Sequence, residues 1–291
     1  MITEAKNEWA TRRSFPAYGW VGVGLVVVFW ALNWGLSGPR TFIIFFPLWL
    51  GFCLVVDGLV LRRDGTSLLT RSWRRYLGLF LVSAPSWWLF EVLNWRVHNW
   101  HYLGRELLNT WQYLLVSSIN FAVVIPAVFE AAELAKGFGF IRRARPGWVI
   151  APTRRATLAF FLAGLAMLAL LLAWPRYFFP FMWLSIYFML EPINAWAGNR
   201  SLANYTGKGD WRPVFSLFVG VLITGFFWEM WNFYSYPKWV YTVPFANFAH
   251  IFEMPLLGYG GYLPFALELF ALYHLVIGLL GDKHNPYVRL E

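Results

Sequence analysis

The chain has 291 residues, of which 59% are apolar and only 13% charged, with a net charge of +9. A soluble domain averages roughly 25% charge, so this chain cannot cover its own surface in water, and its bulk is expected to face lipid. A single cysteine, Cys53, excludes an intrachain disulfide and a cysteine-rich metal site; a buried packing role suits it.

In chain order, an N-terminal segment 1–17 precedes a first apolar run at 18–36, and Gly38-Pro39-Arg40 turns the chain into a second at 41–61. Further runs follow at 77–95, 111–135, 156–174, 178–197, 213–233 and 262–281, each near the ~20 residues that span the hydrocarbon. No small-residue cleavage site follows the first run, so it is read as a span and not as a signal peptide. A basic linker, 136–155, separates the first four runs from the last four, and 282–291 closes the chain. The fold class predicted is an all-α polytopic helix bundle of about eight transmembrane helices.

Loop charges orient this map. Nineteen of the 24 Lys and Arg residues fall in 1–17, 62–76, 136–155, 198–212 and 282–291, and the opposite side keeps Arg40, Arg96, Arg105, Arg176 and Lys238. The positive-inside rule then puts both termini in the cytoplasm of a bacterial-type inner or plasma membrane. The same distribution accounts for the net charge without nucleic acid as a partner. Arg142, Arg143, Arg145, Arg154 and Arg155 suit anionic lipid headgroups.

The sequence also repeats itself. An offset of 138 carries Trp73-Arg74 to Trp211-Arg212, Glu91 to Glu229, Asn94 to Asn232, Pro126 to Pro264 and Glu130 to Glu268. Offsets of 133–134 carry Phe45-Phe46-Pro47 to Phe178-Phe179-Pro180, Trp49 to Trp183 and Asp57 to Glu191; Trp100 and Tyr102 match Trp239 and Tyr241 at 139. The expectation is two tandem units, 18–135 and 156–281, of four spans each. An even number makes the repeat parallel, with sites between the halves.

Asp57, Glu91, Glu130, Glu133, Glu191, Glu229 and Glu268 lie in apolar spans, and Glu253 lies just before the last one. Carboxyls in hydrocarbon are costly, so they are expected to face the bundle interior with partners. Low dielectric favours the neutral form of a carboxyl, and a neutral carboxyl in a dry cavity is a proton donor. The plain alternatives are hydrogen bonds from Glu91 to Asn94 and from Glu229 to Asn232 one helical turn on, and compensation by Glu130 and Glu268 for carbonyls freed by the prolines four residues earlier. Asp57 and Glu191 suit snorkelled or ion-paired roles, and Glu133 suits solvation. His250-Ile251-Phe252-Glu253 would place an imidazole and a carboxyl on one helix face. The histidines form no metal-binding pattern, so no metal is expected. Aromatic 234–241 reads as interfacial, and apolar 244–261 as a re-entrant or interfacial helix.

Trp228-Glu229, Trp239-Val240-Tyr241 and Pro264 with Glu268 together resemble the carotenoid-type lycopene cyclase domain; Trp228-Glu229 is also similar to the transmembrane terpene cyclases of fungal meroterpenoid pathways. The resemblance implies a cofactor-independent isoprenoid cyclase, isomerase or hydratase. Glu229 would be the acid and Glu253 or Glu268 the partner base; His250 is a further catalytic candidate from its spacing to Glu253, as an acid–base pair, a metal-ligand pair or a plain hydrogen-bonded pair. Trp228, Trp231, Asn232, Tyr234, Trp239 and Tyr241, with Glu91 and Asn94, would bind a long isoprenoid or lipid. The family has a Pro-x-Glu-Glu doublet where this chain has Pro264-Phe265-Ala266-Leu267-Glu268. Two other classes stay open: a lipid- or pigment-binding subunit with a membrane-protein partner or a second copy of itself, and a small transporter.

Overall fold

The computed structural model describes residues 14–291, so most of the N-terminal segment expected at 1–17 lies outside the described residues. The chain is mostly helical. The principal helices are α1 (Ala17–Gly35), α2 (Phe45–Asp64), α3 (Trp73–Val97), α4 (Thr110–Phe121), α5 (Val124–Ala135), α6 (Arg154–Ala173), α7 (Met182–Ala197), α8 (Arg212–Phe233) and α9 (Tyr259–Leu279). Among the described residues, seven helical segments are long and apolar enough to cross a membrane. The protein is therefore a multi-pass membrane helix bundle. The remaining expected run, 178–197, consists of the 16-residue α7 preceded by a single 3-10 turn.

The mostly helical chain is compatible with the all-α class expected, and it adds two short strand pairs. Strand β1 (Trp100–Leu103) pairs antiparallel with β2 (Lys238–Tyr241), and β3 (His250–Ile251) pairs with β4 (Met254–Pro255). The segment 244–255 is not the helix expected for 244–261; helix begins with a 3-10 turn at Leu256–Gly258 that leads into α9. Phe245, Ala249 and Phe252 take φ of 60°, 50° and 57°, left-handed conformations that interrupt a right-handed helix.

Local chemistry sets the helix ends. Ser67 forms a capping box with Thr70, and Asn109 forms one with Gln112 at the start of α4. Gly65 ends α2 at φ 73°, a conformation natural to glycine. The fourth expected span is interrupted at 122–123, although no broken helix was anticipated there. Pro126 has no N–H to continue the ladder across this point. Ser83 from α3 bridges the gap: its Oγ donates to Phe121 O at 2.6 Å and accepts from Ile125 N at 3.0 Å. The hydroxyl thus serves Phe121 O and Ile125 N at the break, while Glu130, expected to compensate for Pro126, makes no hydrogen bond among the described residues.

Small residues set the closest helix approaches, as is usual where lipid removes the hydrophobic drive between helices. The α1–α2 crossing is at Gly22 and Gly51, where an added Cβ on either would meet the other's carbonyl within 3 Å. In α8, a Cβ on Gly220 would stand 2.5 Å from Ala132 N of α5. Thr224 of α8 adds a hydrogen bond to Ala127 O at 3.3 Å.

The two ends of the bundle differ. At one end Arg71 bonds Glu133 at 2.5 Å, and the tail 287–290 inserts there. Tyr287 donates to Leu68 O at 2.8 Å, and Arg289 N donates to Glu133 at 2.8 Å. Buried Glu133 is therefore ion-paired and not solvated. The β1–β2 ribbon marks the other end, where Thr41 donates to Tyr236 O at 2.6 Å. Arg96 and Arg176 also lie there, one bonded to Leu172 O and the other over the Phe245 ring.

Candidate functional site

Ring packing between the two halves of the chain builds the site. Trp49 packs on Trp228 and Trp231 with centroids 5.3 and 4.9 Å apart, and Trp183 packs on Phe90 at 5.5 Å. Beneath the ribbon these rings leave a cavity of about 510 Å3, within the roughly 300–1,000 Å3 typical of small-molecule sites. Trp87, Trp100, Trp183, Trp228 and Phe265 form much of its wall.

Among the described residues, Glu229 is the one carboxyl in that wall. Its Oε1 accepts from Tyr241 at 2.7 Å and from Tyr262 at 2.6 Å, and Trp239 Nε1 donates to the Tyr241 hydroxyl at 2.8 Å. The buried Oε2 makes no hydrogen bond among the described residues. Burial, together with the Glu229 carboxyl, pushes the Tyr241 phenol well above its ordinary value, so it stays a protonated donor at neutral pH.

Glu91 sits in a related but fuller arrangement. Its Oε1 accepts from Trp87 Nε1 at 2.9 Å, Trp100 Nε1 at 3.0 Å and Tyr102 at 2.5 Å. The two Trp-x-Tyr segments face each other in the ribbon, with Trp100 opposite Tyr241 and Tyr102 opposite Trp239. Neither carboxyl bonds the asparagine one turn on, so the plain alternative of a Glu–Asn pair is not what the structure shows. Asn94 instead donates to Trp100 O at 2.8 Å and accepts from Asn99 N at 2.9 Å. Asn232 donates to Trp239 O at 2.7 Å and accepts from Trp239 N at 2.9 Å. The asparagines therefore fix each strand to its helix, because their amides can pair both ways with backbone.

Of the other anticipated residues, Trp228, Trp239 and Tyr241 line the cavity, while Trp231 and Asn232 are buried behind it and Tyr234 is exposed. His250 and Glu253 share no helix face. They lie on the β3–β4 hairpin, where exposed His250 sits 3.1 Å from Asn247 Oδ1 and Glu253 is bonded by Lys238. Glu268 is fully buried in α9 outside the cavity wall, and neither its oxygens nor those of Glu130 make a hydrogen bond among the described residues. Asp57, expected to snorkel or pair with a cation, is fully buried. It accepts from Tyr18 at 2.6 Å and Leu69 N at 2.9 Å; Glu191 likewise accepts from Ala203 N at 2.7 Å.

No family model, curated protein or solved structure matches this chain. The site is thus read from its own residues, including several that sequence reasoning passed over. Trp87 stands four residues before Glu91, a spacing that was readable on a helix. Tyr262 reaches Glu229 from 33 positions away and carried no local signal.

Proposed function

We propose that this chain takes a long hydrophobic molecule, an isoprenoid or a lipid, from the membrane into the aromatic cavity, and that Glu229 exchanges a proton with it. The setting of Glu229 carries this reading: one carboxyl in a wall of tryptophan and phenylalanine, held by two phenols. In its protonated form Glu229 adds H+ to a carbon–carbon double bond, a C–H bond forming as the O–H bond breaks. Ring faces stabilise the resulting carbocation. Ring closure or a double-bond shift follows, and loss of a proton from an adjacent carbon to the carboxylate restores Glu229. This is the cyclase or isomerase chemistry implied by the resemblance to lycopene cyclases, with one carboxyl doing the work assigned there to two.

The proposal includes two tandem four-span copies that cross the membrane eight times, with the Arg71–Glu133 end in the cytoplasm. The matched pairs Glu91 and Glu229, Asn94 and Asn232, and Asp57 and Glu191 support it, since each pair makes related contacts. The crossing of the two Trp-x-Tyr strands supports it as well.

The test is turnover of carotenoid, terpene and other isoprenoid lipids by the protein in lipid nanodiscs. A positioned general acid–base contributes about 10²–10⁴-fold, so Glu229→Gln should lose about that much and Glu91→Gln should not. Full activity in Glu229→Gln overturns the mechanism. One observation favours a second reading, a non-catalytic lipid- or pigment-binding subunit: neither Glu253 nor Glu268 reaches the cavity as a second carboxylate. Tight ligand binding without turnover, together with a copurifying membrane partner, would support it.

A further inference from the structure

Glu229 belongs to the cavity wall, yet the residue is 0% exposed. The two phenols bonded to it, Tyr241 and Tyr262, line the same cavity and keep part of their surface exposed. A proton donor must lie within hydrogen-bond reach of the atom it serves, or reach it through one intervening group. A carboxyl with no accessible surface meets an occupant more readily through a neighbouring hydroxyl than directly.

The two phenols are not equivalent. The Tyr241 hydroxyl is engaged twice, accepting from Trp239 Nε1 at 2.8 Å and donating to Glu229 Oε1 at 2.7 Å. The Tyr262 hydroxyl donates to Glu229 Oε1 at 2.6 Å and makes no other hydrogen bond among the described residues. A hydroxyl carries one hydrogen and two lone pairs, and its hydrogen rotates to suit. Tyr262 therefore keeps both lone pairs free to accept from a protonated Glu229, and can then turn its own hydrogen elsewhere. Packing fixes where its ring stands. An added Cβ on Gly225 would lie 2.8 Å from that ring, so this glycine opens the space the ring fills. The ring is stacked on Trp228 at 12° with centroids 6.5 Å apart, and Trp228 leads on to Trp87 at 6.1 Å. A proton leaving the Tyr262 oxygen enters beside ring faces that stabilise a cation.

We infer that Tyr262 is a catalytic residue that passes the proton of Glu229 to the occupant, and that Tyr241 is a positioning residue. The inference rests on Glu229 as the acid, as proposed above, and adds the group that touches the substrate. In the protonated site Glu229 donates to the Tyr262 oxygen while Tyr241 still donates to Glu229. The Tyr262 O–H bond breaks as the new C–H bond forms, and the Glu229 proton moves to the same phenol oxygen. Tyr262 ends as it began, Glu229 is a carboxylate and the substrate is a carbocation. Loss of a proton from an adjacent carbon runs the relay in reverse.

The experiment uses the full chain in lipid nanodiscs in heavy water and reads deuterium entering geranylgeraniol, squalene and lycopene by mass spectrometry. Glu229→Gln and Tyr262→Phe should each lose about 10²–10⁴-fold in exchange. Tyr241→Phe should lose less than about tenfold, the order of one hydrogen bond. Tyr262→Phe should still bind lycopene, read as quenching of tryptophan fluorescence. Gly225→Ala displaces the Tyr262 ring with every reacting group retained, and should lose exchange as well. Equal losses in the two tyrosine variants would overturn the inference and make Tyr262 a second positioning residue. Full exchange in Tyr262→Phe or in Gly225→Ala, beside a loss in Glu229→Gln, would overturn it and leave Glu229 as the direct acid. Loss of lycopene binding in Tyr262→Phe would overturn it in favour of a wall role. No exchange into any of the three compounds by the wild-type chain would overturn both readings.

Discussion

Tyr102 and Trp239 are direct partners across the antiparallel ribbon, yet each serves the carboxyl of its own half. Tyr102 donates to Glu91, whereas Trp239 donates to Tyr241, which donates to Glu229. One short ribbon therefore positions both buried carboxyls, and it leaves them unequal. Glu91 receives three donors on one oxygen and stays outside the cavity wall, while Glu229 receives two and lines it.

This inequality separates stability from function. Glu91→Gln keeps an oxygen where the three donors converge and should cost about 1 kcal/mol or less. Glu91→Ala strands three buried donors and should cost about 3 kcal/mol or more, at about 1–3 for each group left unsatisfied. Denaturant unfolding in detergent measures both. Equal losses in the two variants would show that the donors do not converge as described.

The ion pairs offer a second contrast. Arg71 and Glu133 have side chains 8% and 0% exposed, whereas those of Arg75 and Asp282 are 50% and 41% exposed. Arg71→Ala leaves buried Glu133 with only Lys136 at 4.0 Å and the Arg289 N–H, and should destabilise by about 2–4 kcal/mol, toward the range of a broken buried pair. Arg75→Ala should cost less than about 1 kcal/mol. Thermal unfolding of the two variants side by side decides the point.

Gly220→Ala tests how the two halves meet. Its Cβ would strike the backbone of Ala132, which no rotamer change can relieve, so about 1–3 kcal/mol of overpacking is expected. Gly24→Ala meets nothing within 4 Å and should be neutral or slightly stabilising. The comparison uses melting temperatures at constant detergent concentration.

Acid should weaken the loop around Asp210. Burial opposes ionisation of this carboxyl, but Arg212, bonded to it at 2.6 and 2.8 Å, outweighs burial and holds it below the usual carboxylate range. A depressed folded value contributes stability above the unfolded value of about 3.9, and that contribution disappears as pH falls through the folded value. Wild type should be more stable than Asp210→Asn near neutrality, and the two should converge in strong acid. A gap that widens on acidification would contradict the assignment.

Much of the membrane architecture was legible because a span is written locally, as a run of apolar residues. The paired Glu and Asn positions and the Trp-x-Tyr segments were legible as well, through their constant spacing. What was hidden depended on distant partners or on backbone conformation. Glu133 looked solvated because its partner Arg71 lies 62 positions away. His250 and Glu253 looked helical because nothing in an apolar run announces positive φ at Phe245, Ala249 and Phe252. Tyr262 was overlooked because its phenol meets Glu229 only after α8 and α9 have packed together.

The hydroxyl of Ser83 has one further consequence. The break at 122–123 divides one expected span between two duties, and that hydroxyl joins the parts. The α5 part packs against α8 at Gly220. The α4 part carries Tyr113, Ser117 and Asn120 of the cavity wall, so a replacement at Ser83 bears at once on the packing between the halves and on the wall of the site.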